Sequence, residues 1–232
     1  MTGLIYIHVP KCGGTSFGTA LRLRYLTSQA SISLNQGDRR LSGEAQIISD
    51  YRARQVELRG HVSRGIRLIA GHVQYDPILH AGSGRNYGYI TLLRNPVDRL
   101  LSHYHYLERK HPNPARPSQL EAFLDTPDAL RLASQYLFYF AGQSQLRRSN
   151  SKPLVARAMR ALARFDFVGD LSDPMACATG LRTLTGGPLP VWHRNRAPKH
   201  IPVPNYLRPK LEALCAPDME IFESCRHHRA VA

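Results

Sequence analysis

No stretch of this chain comes near the roughly 18 consecutive apolar residues that a membrane-crossing helix requires, so no membrane span is expected. Cysteine is scarce: Cys12, Cys177, Cys215 and Cys225 are the four in 232 residues. None stands in a C-x-x-C pair, which argues against a zinc ribbon or a thioredoxin-type centre. Their density is also too low for a disulfide scaffold, so they read as free thiols in a reducing compartment. Acidic residues are in the minority, 17 Asp and Glu against 31 Lys and Arg, for a formal charge of +14. That excess favours anionic partners. The basic residues are nevertheless dispersed, with short pairs such as Arg39-Arg40 and Arg147-Arg148, and no dense basic tail marks a nucleic-acid arm. A nucleic-acid partner is therefore not expected. The opening strand begins at about Leu4 and leaves no room for a signal peptide, so a cytoplasmic location is expected. A 43% hydrophobic content allows a sizeable core, and residues 1–232 are read as a single domain.

What is present is concentrated near the start. The apolar run Leu4-Ile5-Tyr6-Ile7-His8-Val9 reads as a buried strand, stopped by Pro10. Lys11, Cys12, Gly13, Gly14, Thr15 and Ser16 follow, and then a helical pattern with Phe17, Leu21 and Tyr25 at spacing four. Strand, glycine turn and helix is the construction that aims backbone N–H groups at a phosphate. Lys11 adds a mobile positive charge beside that anion. The order differs from the nucleotide triphosphatase loop, where the lysine follows the glycines, and there is no G-x-G-x-x-G dinucleotide fingerprint in this loop. Thr15 or Ser16 is the expected N-cap of the helix. Cys12 reads as a small residue filling a tight turn rather than as a nucleophile.

Further strands are expected at 67–70, 87–93 and 165–168, with helices from Pro96, over about 128–140, over 153–164 and after Asp173. Ser118 with Glu121 suggests a capping box. Residues 28–60 read as loops or short helices, and two C-terminal helices are expected over about 205–214 and 217–227. Strands alternating with helices predict an α/β fold with a mainly parallel central sheet flanked by helices. In such sheets ligands lie beyond the carboxyl ends of the strands. The segments 10–16, 71–76 and 94–102 each follow a strand and are expected to converge there.

Two of these segments carry chemistry of their own. Arg94 ends a strand, and Ser102 lies two turns into the following helix. A guanidinium fork and a hydroxyl together suit a phosphate monoester. His72, in Ala70-Gly71-His72-Val73-Gln74-Tyr75, is placed to act as a base for an acceptor hydroxyl. His8, inside the first strand, reads as a packed, hydrogen-bonded residue. His103 and His105 sit at i, i+2 on a helix and so on different faces, which does not suit a metal site. Asp98 and Arg99 read as local ion-pair partners of little energetic weight. The loop Trp192-His193-Arg194-Asn195-Arg196-Ala197-Pro198-Lys199-His200 is basic and proline-containing.

The segment Pro10-Lys11-Cys12-Gly13-Gly14-Thr15-Ser16 resembles the phosphosulfate-binding loop of the sulfotransferases. These enzymes use 3'-phosphoadenosine-5'-phosphosulfate (PAPS) and release adenosine 3',5'-bisphosphate (PAP). Arg94-Asn95-Pro96-Val97-Asp98-Arg99-Leu100 with Ser102 is similar to their 3'-phosphate element, and Gly71-His72-Val73 with Tyr75 to the catalytic-histidine segment of the carbohydrate (heparan and uronyl) 2-O branch. The resemblance implies a P-loop-like sulfotransferase fold. It makes Lys11 and His72 catalytic, and it places Lys11, Cys12, Gly13, Gly14, Thr15, Ser16, Arg94, Ser102 and Lys199 on the cofactor. Arg194 and Arg196 then face a hydroxyl-bearing, acidic carbohydrate acceptor, and no metal is required. Cys12, where relatives more often have threonine, is a departure. A nucleotide-dependent kinase or a noncatalytic polyanion-binding protein are the alternatives left open by the residues.

Overall fold

The computed structural model describes residues 2–34, 37–83, 86–142, 151–191 and 203–230. Five strands, β1 (Gly3–Ile7), β2 (Gln29–Ser31), β3 (Leu68–Gly71), β4 (Tyr87–Leu93) and β5 (Phe167–Asp170), form one sheet in the order β2-β3-β1-β4-β5. Every pairing is parallel. β1 and β4 are buried at every position, as strands covered on both faces must be. Parallel neighbours require crossovers, and helices supply them.

One face carries α1 (Gly14–Arg24) and α9 (Pro174–Thr185), packed on Leu4, Tyr6, Leu68 and Leu92. The other face, bearing Ile5, Ile7, Ile69 and Leu93, is covered by α2 (Gly43–Ser63), α7 (Gln135–Ala141), α8 (Lys152–Leu162) and α10 (Arg208–Ala230). A third cluster joins α4 (Pro96–Lys110), α5 (Leu120–Phe123), α6 (Pro127–Ala133) and α10. α3 (Pro77–Ser83) links β3 to β4. No helix among the described residues is long and apolar enough to cross a membrane.

Five expectations need correction. α1 starts at Gly14, with Gly13 at the N-cap, two or three residues ahead of the expected hydroxyl caps, and no side-chain cap bond. Segment 28–60 contains β2 and most of the 21-residue α2. α2 buries just Arg54 and Leu58, so its apolar stripe is too sparse to announce a helix. The predicted capping box is absent: α5 has Gln119 at its N-cap, and the Ser118 carbonyl accepts from Tyr104 Oη at 2.6 Å. The helix expected over 128–140 breaks at Ser134 into α6 and α7. The two C-terminal helices are one, with Pro217 inside α10 and a short 3-10 turn at Asn205–Leu207 before it.

Candidate active site

β3, β1 and β4 lie side by side, so the loops that leave their carboxyl ends share one edge. Lys11 has φ 67, in the left-handed region, and Gly13 has φ 70. The two inversions curl the chain back and open α1 directly from the loop. The first helical bond runs from the Phe17 N–H to the Gly13 carbonyl at 3.2 Å. The N–H groups of Gly14, Thr15 and Ser16, the first turn of α1, therefore find no acceptor among the described residues. Such a turn is a donor array for an anion. A Cβ on Gly13 would lie 2.8 Å from Leu171, and one on Gly14 would lie 1.8 Å from His8 Nε2. Each glycine therefore has a packing reason of its own.

The Lys11 ammonium sits 4.2 Å from the Tyr106 ring centroid, on α4. Its pKa is lowered, first by burial and then by the charges of Arg109 and Arg94. The fixed charges acting on it are thus all positive, an arrangement that an anion would relieve. Arg94 follows β4 and makes no side-chain ion pair among the described residues. Asn95 caps α4 by accepting from Val97 N at 3.0 Å and Asp98 N at 3.3 Å, with Pro96 opening the helix. Ser102 lies in the second turn of α4.

Cys12 is fully buried. Its N–H donates to the Val9 carbonyl at 3.2 Å, and its Sγ lies 3.7 Å from Tyr136 Oη. Burial pushes the thiol up to about 11. Thiol and N–H are both engaged inside the protein, so Cys12 shapes the loop and has neither of these groups free for a ligand.

His72 follows β3. Its Nδ1 is 2.6 Å from the His8 carbonyl. A carbonyl oxygen can only accept, so Nδ1 carries the proton and Nε2 the lone pair. Burial lowers the His72 pKa, the bond to His8 raises it, and Arg54 lowers it. Arg54 Nη1 holds the His72 carbonyl at 3.2 Å. This is a neutral imidazole with a defined tautomer. His8 differs from expectation: its ring makes no hydrogen bond among the described residues and instead stacks on His72, with centroids 4.5 Å apart.

Two parts of the site went unread in the sequence. Tyr136 Oη accepts from the Arg94 N–H at 2.8 Å, donates to the Arg94 carbonyl, and meets Cys12 Sγ. One hydroxyl thus joins the phosphate loop to the end of β4. The signal was the run Tyr136-Leu137-Phe138-Tyr139-Phe140-Ala141, apolar on every side of the helix, since such a helix belongs inside a protein. Asp218 is the second. It accepts from the Tyr136 and Leu137 N–H groups at 2.8 and 3.1 Å. Burial raises its carboxyl to about 7 while Arg99 pulls it down. Arg99 is no surface partner of Asp98. It is fully buried, donates to the Leu132 carbonyl, and lies 3.9 Å from Asp218.

Arg194, Arg196 and Lys199 lie outside the described residues. A cavity of about 450 Å³ between α2 and α7, lined by Tyr51, Gln55, Arg59 and Phe138 among others, includes none of the site residues above.

In comparisons with known proteins, the model of the sulfotransferase family matches residues 2–135, more than half of the chain. No curated protein matches. A crystal structure of a sulfotransferase from Alicyclobacillus acidocaldarius aligns with 97% of this chain and 95% of its own, at 18% identity and a TM-score of 0.54. That likeness is one of fold. The mouse sulfotransferase SULT7A1, solved in complex with PAP, aligns with 81% of this chain and 60% of its own, at 14% identity and a TM-score of 0.48. The family match runs from the phosphate loop through His72 to the Arg94–Ser102 segment and Tyr136's neighbour Gln135, so the chain belongs to the sulfotransferase family and is a sulfotransferase.

Proposed function

We propose that this single domain transfers a sulfuryl group from PAPS to a hydroxyl of a carbohydrate-type acceptor, by in-line displacement. The observation that carries the reading is the convergence at one sheet edge of an uncapped helix turn, two cations that meet no carboxylate among the described residues and a neutral imidazole with its Nε2 unprotonated. The donor set fits a cofactor with two separated phosphates. The N–H groups of Gly13 to Ser16 would hold the 5'-phosphate, and Arg94 with Ser102 the 3'-phosphate. PAPS supplies the activated sulfuryl group, whose bond to the phosphate oxygen breaks as the acceptor oxygen attacks.

Lys11 is the residue to neutralise charge on the departing phosphate side. Its lowered pKa reflects a site already crowded with positive charge, which favours a state that gains negative charge. His72 Nε2 takes the proton of the acceptor hydroxyl, because its Nδ1 proton is committed to His8. The net charge of +14 supports an acidic acceptor by long-range attraction, and Arg194, Arg196 and Lys199 are proposed to face it or the cofactor. The likeness of residues 71–75 to the 2-O branch supports a sugar hydroxyl as the nucleophile.

Calorimetric titration with PAP, followed by transfer of labelled sulfate from PAPS to a panel of neutral and uronate-containing oligosaccharides, tests this. Lys11→Ala and His72→Ala are each expected to lower transfer on the order of 100-fold or more while the fold persists, and Arg94→Ala to weaken PAP binding. Wild-type turnover in Lys11→Ala would refute the assignment.

A further inference from the structure

We infer that His8 is a positioning residue for the transfer reaction, fixing the tautomer and ring plane of His72 against the phosphate loop; this rests on the reading of His72 as the base. His8 touches both halves of the site. Its N–H donates to the Gly71 carbonyl at 2.9 Å, registering the end of β1 against the end of β3. Its carbonyl accepts the His72 Nδ1 proton at 2.6 Å. Its imidazole stacks on that of His72, with centroids 4.5 Å apart and planes 28° apart. The Tyr6 ring backs it at 5.7 Å. The same imidazole occupies the space where a Cβ on Gly14 would stand, so it rests on the first residue of α1. A displacement of the phosphate loop therefore reaches His72 through one rigid, flat group.

The carbonyl fixes which nitrogen of His72 is basic, and the ring fixes where that nitrogen points. A single hydrogen bond leaves the His72 ring free to swing about it, and a stacked neighbour removes that freedom. Stacking suits the task only if His8 stays uncharged, since two imidazolium rings at this distance repel. Burial, with His72, Arg22 and Lys11, holds His8 neutral, at about 3. Arg54 on α2 is the other charge acting on His72. His103 on α4, itself held neutral by burial at about 3, also faces this group.

The test is a titration of nitrogen-15-labelled imidazoles by NMR in the PAP-bound protein, for wild type, His8→Ala and His8→Phe. Phenylalanine keeps a flat ring and has no nitrogen. In the wild type His72 is expected as the Nδ1-protonated tautomer, titrating below the ordinary 6.5. In His8→Ala, water reaches the ring and the titration moves up toward 6.5, while the carbonyl of residue 8, which the substitution keeps, still holds the Nδ1 proton. In His8→Phe both readouts stay near wild type. Turnover with the best acceptor of the oligosaccharide panel should fall about 10- to 100-fold in His8→Ala, with its acid limb moved to higher pH, and recover most of that loss in His8→Phe. PAP affinity and circular dichroism establish that each variant is folded.

If His8→Ala leaves the titration and the turnover of wild type, the inference is wrong. It is also wrong if a folded His8→Phe is as impaired as His8→Ala, because the ring nitrogens and not the stack would then matter. His72→Ala separates the layers: full turnover there removes the base itself, whereas a dead His72→Ala beside an unaffected His8→Ala removes His8 alone.

Discussion

Lys11 is the non-glycine residue with positive φ among those described. A left-handed conformation disfavours an L-residue by about 1–2 kcal/mol, and a glycine would relieve it. Glycine also gives the unfolded chain more freedom, by roughly 0.5–1 kcal/mol, and forfeits the contact with Tyr106, about 0.5–1 kcal/mol. These effects offset one another. Lys11→Gly is thus expected to unfold within about 1 kcal/mol of wild type while transfer collapses, a pair of results read by thermal melting and sulfate transfer. Its neighbour Cys12 is expected to be inert. With the thiol pushed to about 11, roughly one in 10,000 is ionised at pH 7. Iodoacetamide should label it in the denatured chain and leave it unlabelled in the native one, as mass spectrometry of the peptide would show. The glycines and lysine of this loop were legible because each has a local role. Its linkage to Tyr136 was not, because a hydrogen bond across 124 positions leaves no local pattern.

At the level of elements, legibility followed amphipathic contrast. α4 and α8 carry clear apolar stripes; α4 was read to start at its first residue, and α8 within two residues of both its ends. β4, continuous in strand-forming residues, was read outright. α2 and α10 were misread for different reasons, and the break at Ser134 between α6 and α7 was missed. α2 has too little apolar surface, and Pro217 made α10 look like two helices. The last error hid a structural joint. Asp218, one residue past that proline, caps α7 and faces Arg99 of α4. Three helices thus meet on one buried ion pair, with Arg99 Nε and Nη1 left without partners. Removing one member strands the other's charge. Asp218→Ala is expected to destabilise by about 3–5 kcal/mol, a fall in Tm of roughly 6–20 °C for a chain of this size. Arg99→Met with Asp218→Asn should recover at least half of that loss, since neither charge is then stranded. Additive losses in the double variant, measured by denaturant unfolding, would show that the two groups do not act as a pair.

For the whole molecule the question is whether the scattered positive charge serves the cofactor or merely the surface. The net +14 would attract any polyanion, and such attraction fades as salt screens it. The proposed site, of backbone N–H groups, an arginine fork and a lysine held on an aromatic ring, would instead discriminate by geometry. A ligand that binds the folded state alone stabilises it by about 2.7 kcal/mol at 100 times its Kd, which for this chain length raises Tm by roughly 5–10 °C. PAP at that concentration is expected to give such a shift, retained in 150 mM salt. Adenosine 5'-phosphate, lacking the 3'-phosphate, should shift Tm much less at the same concentration, and Arg94→Ala should bring the PAP response down to that lower level. A response that is equal for the two nucleotides, or that vanishes with salt for both, would mean that Arg94 and Ser102 recognise no second phosphate. The basic surface, and not the three loops at the sheet edge, would then be what holds the nucleotide.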